Sequence, residues 1–453
     1  MTPVEYLAAH HDRTLRELIE FARIPSVSAD PDHRTDIAAA SQWVADQLRQ
    51  AGPIDVRSIS TAGNPVVYGE WLGAPGACTL LIYGHYDVQP AEPLDKWLSE
   101  PFRPEVRDGR LYGRGVSDNK GPLLIPIKVA QAFFATRGSL PLNVKFLFEG
   151  EEEIGSRNLA PFIAANTQLL KADWVLSADG AMWRSDEPSI TIASRGVAAL
   201  EFSILGANRN LHSGRYGGSV PNALHALAEL IASLHTLDGR VAVEGFYDDL
   251  SALPEDDRRE IAALPFDEAH FLAEVGASAP VGESGYSTLE RQWVRPTLEV
   301  NGMWGGYQGQ GSQTVTPNEA YAKISCRLVP DQRPDTIRAL VIRHLETNLP
   351  SGVDLSVSSE QHGALPYRIP SDHPGLKTAE RVLEEVYGTP PLRVRMGSTL
   401  PVCEVFKRTL ALDTVFFSFS TADEDFHSPN EFFRVKRLHE GLQAWARYWE
   451  CYG

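Results

Sequence analysis

Cysteine is scarce in this chain. Its 453 residues include only four, Cys78, Cys326, Cys403 and Cys451, and none forms a C-x-x-C pair. That spacing argues against a disulfide scaffold or a zinc ribbon and fits a reduced, cytoplasmic chain. Basic runs are missing as well. The 42 Lys and Arg stand against 59 Asp and Glu, a net charge of −17, so neither nucleic acid nor an anionic membrane is an expected partner. No apolar run approaches the ~20 residues of a membrane span. Leu123 to Phe134 comes nearest, and Pro126 and Lys128 interrupt it. The opening MTPVEYLAAHHDRTLRELIEF reads as a charged amphipathic helix rather than a signal peptide. Internal repeats and low-complexity tracts are also missing.

What is present is ordinary globular composition, 43% hydrophobic and 22% charged, in a chain long enough for two or three domains at about 150 residues each. Helical spacing marks residues 4–22 and 36–51, the second stopping at Gly52-Pro53. Short apolar runs then read as buried strands, and each gives way to polar residues. Leu80 to Tyr83 leads to Gly84, His85, Tyr86 and Asp87. Leu142 to Phe148 leads to Glu149, Gly150, Glu151, Glu152 and Glu153. Trp174 to Ala178 leads to Asp179-Gly180, and Thr414 to Phe419 leads through a longer loop to His427. The glycine-containing LYGRGVSDNKG carries Asp118 to the start of a helix that Pro122 opens. A parallel sheet gathers the carboxyl ends of its strands on one edge, where open α/β folds place their sites.

Each segment alone also has a plainer reading. Asp118 or Asn119 can cap a helix, Glu151 can complement a helix dipole, and Asp179-Gly180 can be a turn. The recurrence of His and carboxylate at strand ends favours a shared site. Two His and several carboxylates without Cys suit Zn²⁺, Mn²⁺ or Co²⁺. Asp118, Glu153 and Asp179 with a bridging hydroxide carry four negative charges, which two divalent cations cancel. Such cation pairs bring the pKa of bound water to around 7. Glu152, beside Glu153, would be free to act as acid and base.

From about Ile190 the pattern changes to alternating strands and amphipathic helices, in the order strand-helix-strand-strand-helix-strand. The expected fold class is α/β, a catalytic domain with a mostly parallel central sheet flanked by helices, with an inserted α+β domain. The boundaries expected are 1–192 and 369–453 for the two parts of the catalytic domain and 193–368 for the insert.

Together GHYDVQP, YGRGVSDNKGP, the EEEIGS run, the Asp179 strand end, NLHSGRYGG and FHSPNE resemble the dinuclear metallopeptidases that include cytosolic non-specific dipeptidase and carnosinase. Acetylornithine deacetylase and succinyl-diaminopimelate desuccinylase are more distant members. The motifs follow the family's order over nearly the whole chain. The resemblance implies that His85 and Asp179 bind one metal, Glu153 and His427 the other, and that Asp118 bridges them, with a cis peptide to Asn119. It implies that Asp87 orients His85 and that Glu152 is the general acid/base. His212 would reach across a homodimer interface to steady the oxyanion, with Thr314 also contributed across it. Arg327 would grip the substrate carboxylate, and Gly397 and Ser398 would add substrate contacts. The inserted domain would serve as lid and dimerisation domain. From the residues alone His212 reads as a turn-capping histidine, Arg327 as an ordinary ion-pair partner, and Asp423 to Asp425 as a solvated loop. The three consecutive glutamates leave the register of base and ligand to the x-Gly-Ser immediately after them.

The activity this implies is hydrolysis of dipeptides or short peptides with a free C-terminus, by a hydroxide bridging two divalent metal ions, most simply Zn²⁺. DVQPAE, RLVP and the long 239–295 segment favour it over an N-acyl amino acid deacylase or carboxypeptidase of the same family. A non-catalytic dimeric binding protein should have lost ligands or the base, and none of these residues is missing.

Overall fold

The computed structural model describes residues 1–358 and 363–452. Contacts divide the chain into two units. One comprises Met1–Ile192, Ile369–Val394 and Val405–Gly453, and the other Ala193–Arg368 with Arg395–Glu404.

The first unit is built on a six-stranded sheet. Its strands are β1 (Asp55–Ile59), β2 (Val66–Trp71), β3 (Thr79–His85), β4 (Asn143–Glu149), β5 (Trp174–Ser177) and a last strand, Thr414–Phe416, in spatial order β1, β2, β4, β3, β5, Thr414–Phe416. β3 runs parallel to both β4 and β5, and Thr414–Phe416 runs parallel to β5. β1 and β2 turn the far edge antiparallel. Every residue of β4 is buried, as is every residue of β3 after Thr79. This is why they appear as largely apolar runs: both faces of the sheet are covered, so neither side of the strand meets water.

The helix Gly121–Arg137 has Pro122 near its start and ends at Gly138, whose φ of +72° lets its N–H reach the Phe134 carbonyl. Twelve of its residues are buried, and Pro126 is accommodated inside it. The plainer reading of Asp118 or Asn119 as a helix cap is not realised. Lys120 occupies the cap position without a side-chain bond to the helix, and its ammonium instead donates to the carbonyls of Phe21 and Ile24. The N-terminal helical region is two helices, Pro3–Ala9 and His11–Ala22.

The second unit holds an antiparallel sheet in the order Thr297–Gly305, Glu319–Leu328, Gly196–Leu205, Asp354–Val357. The helices Ala223–Ser233 and Pro334–Thr347 supply Leu227, Leu230, Val341 and Leu345 to its core. Gly196–Leu205 and Glu319–Leu328 alternate buried residues with partly buried or exposed ones, the signature of a sheet covered on one face. The strand expected from Ile190 breaks at Arg195, separating Ser189–Ser194 from Gly196–Leu205. Residues 239–295 contribute three short helices, Glu255–Ala262, Glu268–Glu274 and Thr288–Trp293. No helix among the described residues is long and apolar enough to cross a membrane.

Candidate metal centre

The first unit brings His85, Asp118, Glu153, Asp179 and His427 together at the carboxyl ends of its parallel strands. β3 ends at His85, β4 runs into the turn with Glu152 and Glu153, and Asp179 follows β5. His427 follows Thr414–Phe416 after a longer loop. Asp118 lies in the helical turn Val116–Lys120, its bond to Asn119 in the cis form.

The geometry divides into two groups of three. Ligand atoms of His85, Asp118 and Asp179 lie within 4.8 Å of one another, as do those of Asp118, Glu153 and His427. Asp118 belongs to both and offers a different oxygen to each. Its Oδ1 is 3.0 Å from His85 Nε2, and its Oδ2 is 3.1 Å from His427 Nε2. His85 Nε2 is 3.8 Å from Asp179 Oδ1, and His427 Nε2 is 3.2 Å from Glu153 Oε2. Two ligands each about 2.0–2.1 Å from one tetrahedral cation lie about 3.3 Å apart, so these spacings suit shared cations.

The protonation pattern agrees. His85 Nδ1 faces the Asp87 carbonyl at 3.1 Å and its carboxylate Oδ1 at 3.4 Å. Both are acceptors, so Nδ1 carries the hydrogen and Nε2 turns a lone pair towards Asp118 and Asp179. Acceptors that face one another require something positive between them. A cation or a proton can supply that charge. Burial alone would lower the pKa of His85, but Asp118 and Asp87 hold it well above the usual imidazole range. Bonds to Asp118 and Glu153 push His427 up to about 10. Burial lifts Asp179 to about 6, with Asp118 and Glu153 adding to the effect. Burial resists ionisation of Asp118, yet His427 and His85 outweigh it and bring its pKa down. The hard N/O donor set and the excess of carboxylate fit divalent cations.

Asp87 is fully buried and does more than face His85. Its Oδ1 accepts the Glu152 amide at 3.2 Å, and its Oδ2 accepts the Glu153 amide at 3.1 Å. One carboxylate thus orients a ligand on β3 and fixes the turn after β4. Burial raises Glu152 well above the ordinary carboxylate range; nearby His85 opposes this, and Asp179, Glu153 and Asp118 reinforce it. Glu151 faces elsewhere, accepting from the amides of Asn64 and Asn158.

Residues not singled out in the sequence also take part. Gln89, from DVQP, donates to Glu153 Oε2 at 2.9 Å. Glu149, buried at the end of β4, accepts from Tyr83 Oη at 2.7 Å and Ser156 Oγ at 2.9 Å. The Asp423–Asp425 run is not uniformly solvated. Glu424 is fully buried and bonds to Ser117 Oγ and the Thr421 and Arg434 amides, because the backbone turns it inward to donors that local sequence does not reveal. Glu431, the last residue of FHSPNE, is buried against the loop bearing Asp118.

The remaining expected residues lie in the second unit. His212 and Thr314 are neighbours there: Leu211–His212 pairs with Val315–Thr316, and the Ser213 amide bonds to the Thr314 carbonyl at 3.0 Å. His212 does cap a turn, its Nδ1 accepting the Gly214 amide at 3.0 Å. That bond fixes the tautomer and leaves Nε2 of the exposed ring as a donor. Arg327 donates to Thr399 Oγ1 at 3.1 Å. Arg195 anchors the adjoining segment, its Nε donating to the Gly397 carbonyl at 2.9 Å and its amide to the Ser398 carbonyl at 3.1 Å.

Comparison with known proteins agrees with this arrangement. The model of peptidase family M20/M25/M40 matches residues 81–450. The human Beta-Ala-His dipeptidase is 30% identical over 98% of this chain and 91% of its own length. A Cys-Gly metallodipeptidase of Schizosaccharomyces pombe is 29% identical over 98% of this chain and 96% of its own. Among solved structures, an M20 family metallo-carboxypeptidase from Sulfolobus solfataricus is 31% identical, with a TM-score of 0.84 over 97% of this chain and 99% of that one. The chain belongs to the peptidase family M20/M25/M40.

Proposed function

We propose that this chain hydrolyses dipeptides or short peptides with a free C-terminal carboxylate, using two divalent metal ions held by His85, Asp118, Glu153, Asp179 and His427. The observation that carries the reading is the sharing of Asp118 between two three-residue groups, with Glu152 alongside. When bound, a cation pair supplies Lewis acidity and brings water's pKa towards 7. Zn²⁺ is the metal we favour, with Mn²⁺ and Co²⁺ compatible with the same donors.

The chain's own residues then have separable tasks. Glu152 takes the proton of the attacking water and returns it to the leaving amine. Burial raises its pKa above the ordinary carboxylate range, which favours a group that can both take up and return a proton. Asp87 keeps His85 in the correct tautomer. His212, contributed from a partner subunit of a homodimer, offers its Nε2–H to the developing oxyanion, with Thr314 beside it. Arg327 takes the substrate carboxylate in a guanidinium fork, and the Gly397-Ser398 backbone lines the same subsite.

Glu152→Gln keeps the shape and removes the proton carrier. The expected loss in kcat is on the order of 10²–10⁴-fold, with metal content and fold intact. Near-normal turnover in a metal-loaded variant would remove Glu152 from the chemistry. The Sulfolobus carboxypeptidase, at 31% identity, makes release of C-terminal residues from longer peptides the second reading. A panel of dipeptides, longer peptides and N-acetyl amino acids separates it and the deacylase alternative from the first. The dipeptidase reading fails if dipeptides are the poorest class.

A further inference from the structure

Asp118 and His427 stand 309 positions apart in sequence, yet their ligand atoms meet at 3.1 Å. His427 is poorly placed to hold that spacing by itself. Its side chain is half exposed, its φ is +57°, and it sits in a loop whose Asp425 and Asn430 also have positive φ. A non-glycine residue in this region persists only where its surroundings over-determine it.

The restraint comes from a carboxylate four residues further on. Glu431 is 1% exposed and accepts four hydrogen bonds. Its Oε2 takes Arg114 Nη1 at 2.8 Å and the Gly115 amide at 2.8 Å. Its Oε1 takes the Ser117 amide at 3.0 Å and the Asp118 amide at 3.1 Å. An ionised carboxylate has about four acceptor positions, so this one is full. Three of its four donors are backbone amides of the loop that presents Asp118. The Gly113 amide adds a bond to the Glu431 carbonyl at 3.0 Å. The grip is reinforced upstream of His427, where Glu424 accepts from Ser117 Oγ and Ser420 Oγ donates to the Ser117 carbonyl at 2.8 Å. Residues 420–431 therefore hold residues 113–118 on both sides of His427.

We propose that Glu431 is a positioning residue: its carboxylate ties the loop carrying His427 to the loop carrying Asp118 and thereby sets the spacing of the metal position they share with Glu153. The inference rests on the two-metal reading above. The competing account is a buried ion pair, Arg114 with Glu431, that serves the fold alone. The bonds to three amides are what that account leaves over.

The test is titration of metal-free protein with Co²⁺, followed by calorimetry and by the visible spectrum of the ion. Wild-type protein should take up two Co²⁺ per chain, and His427→Ala identifies one of the two events by abolishing it. Glu431→Gln replaces an acceptor oxygen with an NH₂ that meets amide N–H groups. It should weaken that same event by roughly 10–100-fold, the range seen when groups supporting a ligand are removed, with a smaller change in the other. Excess Co²⁺ should restore the spectrum. The double variant Arg114→Met/Glu431→Gln removes the ion pair without stranding either charge and still deprives the amides. It should show the same selective loss, and it decides the matter should the single variant fail to fold. Unchanged affinities in the double variant, or an equal loss at both events, would overturn the proposal. A wild-type chain that binds fewer than two Co²⁺ would instead overturn the two-metal reading.

Discussion

Replacing Asp87 with Asn isolates orientation from chemistry. The side chain is fully buried and nearly isosteric with its replacement, and its two oxygens have different partners. Oδ1 serves the Glu152 amide at 3.2 Å and faces His85 Nδ1 at 3.4 Å, while Oδ2 serves the Glu153 amide at 3.1 Å. An asparagine has one oxygen to offer. Turned one way it keeps His85 and Glu152 and sets its NH₂ against the Glu153 N–H; turned the other way it loses both of the former. The first orientation is the cheaper. It forfeits one charge-assisted bond, about 1.5–3 kcal/mol, and loosens the turn that presents Glu153. Metal affinity should fall by about 10–100-fold, equivalent to about 1.4–2.7 kcal/mol. The assay is kcat against free metal concentration, with calorimetric titration of the metal-free protein. Activity should recover substantially at saturating metal. A variant with wild-type metal affinity and a kcat that excess metal does not restore would refute the assignment of Asp87 to orientation.

Metal removal and pH give further outcomes. A chelator should abolish activity and lower the thermal midpoint, and Zn²⁺, Mn²⁺ or Co²⁺ should restore both. A ligand at 1,000 times its Kd stabilises by about 4.1 kcal/mol, so full activity in protein shown metal-free by elemental analysis would sink the catalytic reading. Burial, aided by Asp87, pushes Glu149 up to about 8 from 4.5 in the open chain. Between those values the folded state holds a proton that the unfolded state has lost, so this group's contribution to stability declines as pH rises from about 4.5 to about 8. Urea denaturation of metal-free Glu149→Gln should show the variant gaining on wild type across that window. A constant difference between the two would refute it.

The strand ends were the most legible part of the sequence. LLIYGH and LNVKFLF are largely apolar because both faces of the sheet are covered, so the polar residue that ends each run marks the sheet's edge. The three glutamates part company in the structure, where Glu151 turns to Asn64 and Asn158 while Glu153 meets His427. Other features were hidden because their partners are backbone groups or distant side chains that no sequence pattern marks. Glu431 differs from a surface glutamate only through donors more than 300 positions away, the Arg114 guanidinium and three amides, 313 positions in the case of Asp118. Glu424 lies between Asp423, which pairs with Arg434, and Asp425, and composition does not separate the three. Arg195 is similar: its break in the strand reflects bonds to Gly397 and Ser398, which no local pattern encodes.

The candidate metal-holding residues come from both sides of the insert, with Asp179 before it and His427 after it. The stretch before the insert holds all of the group of His85, Asp118 and Asp179 but only part of the group that includes His427. Cation uptake at the position that includes His427 is therefore expected late in refolding, after the polypeptide has closed around its own interruption, whereas the group of His85, Asp118 and Asp179 can assemble before it.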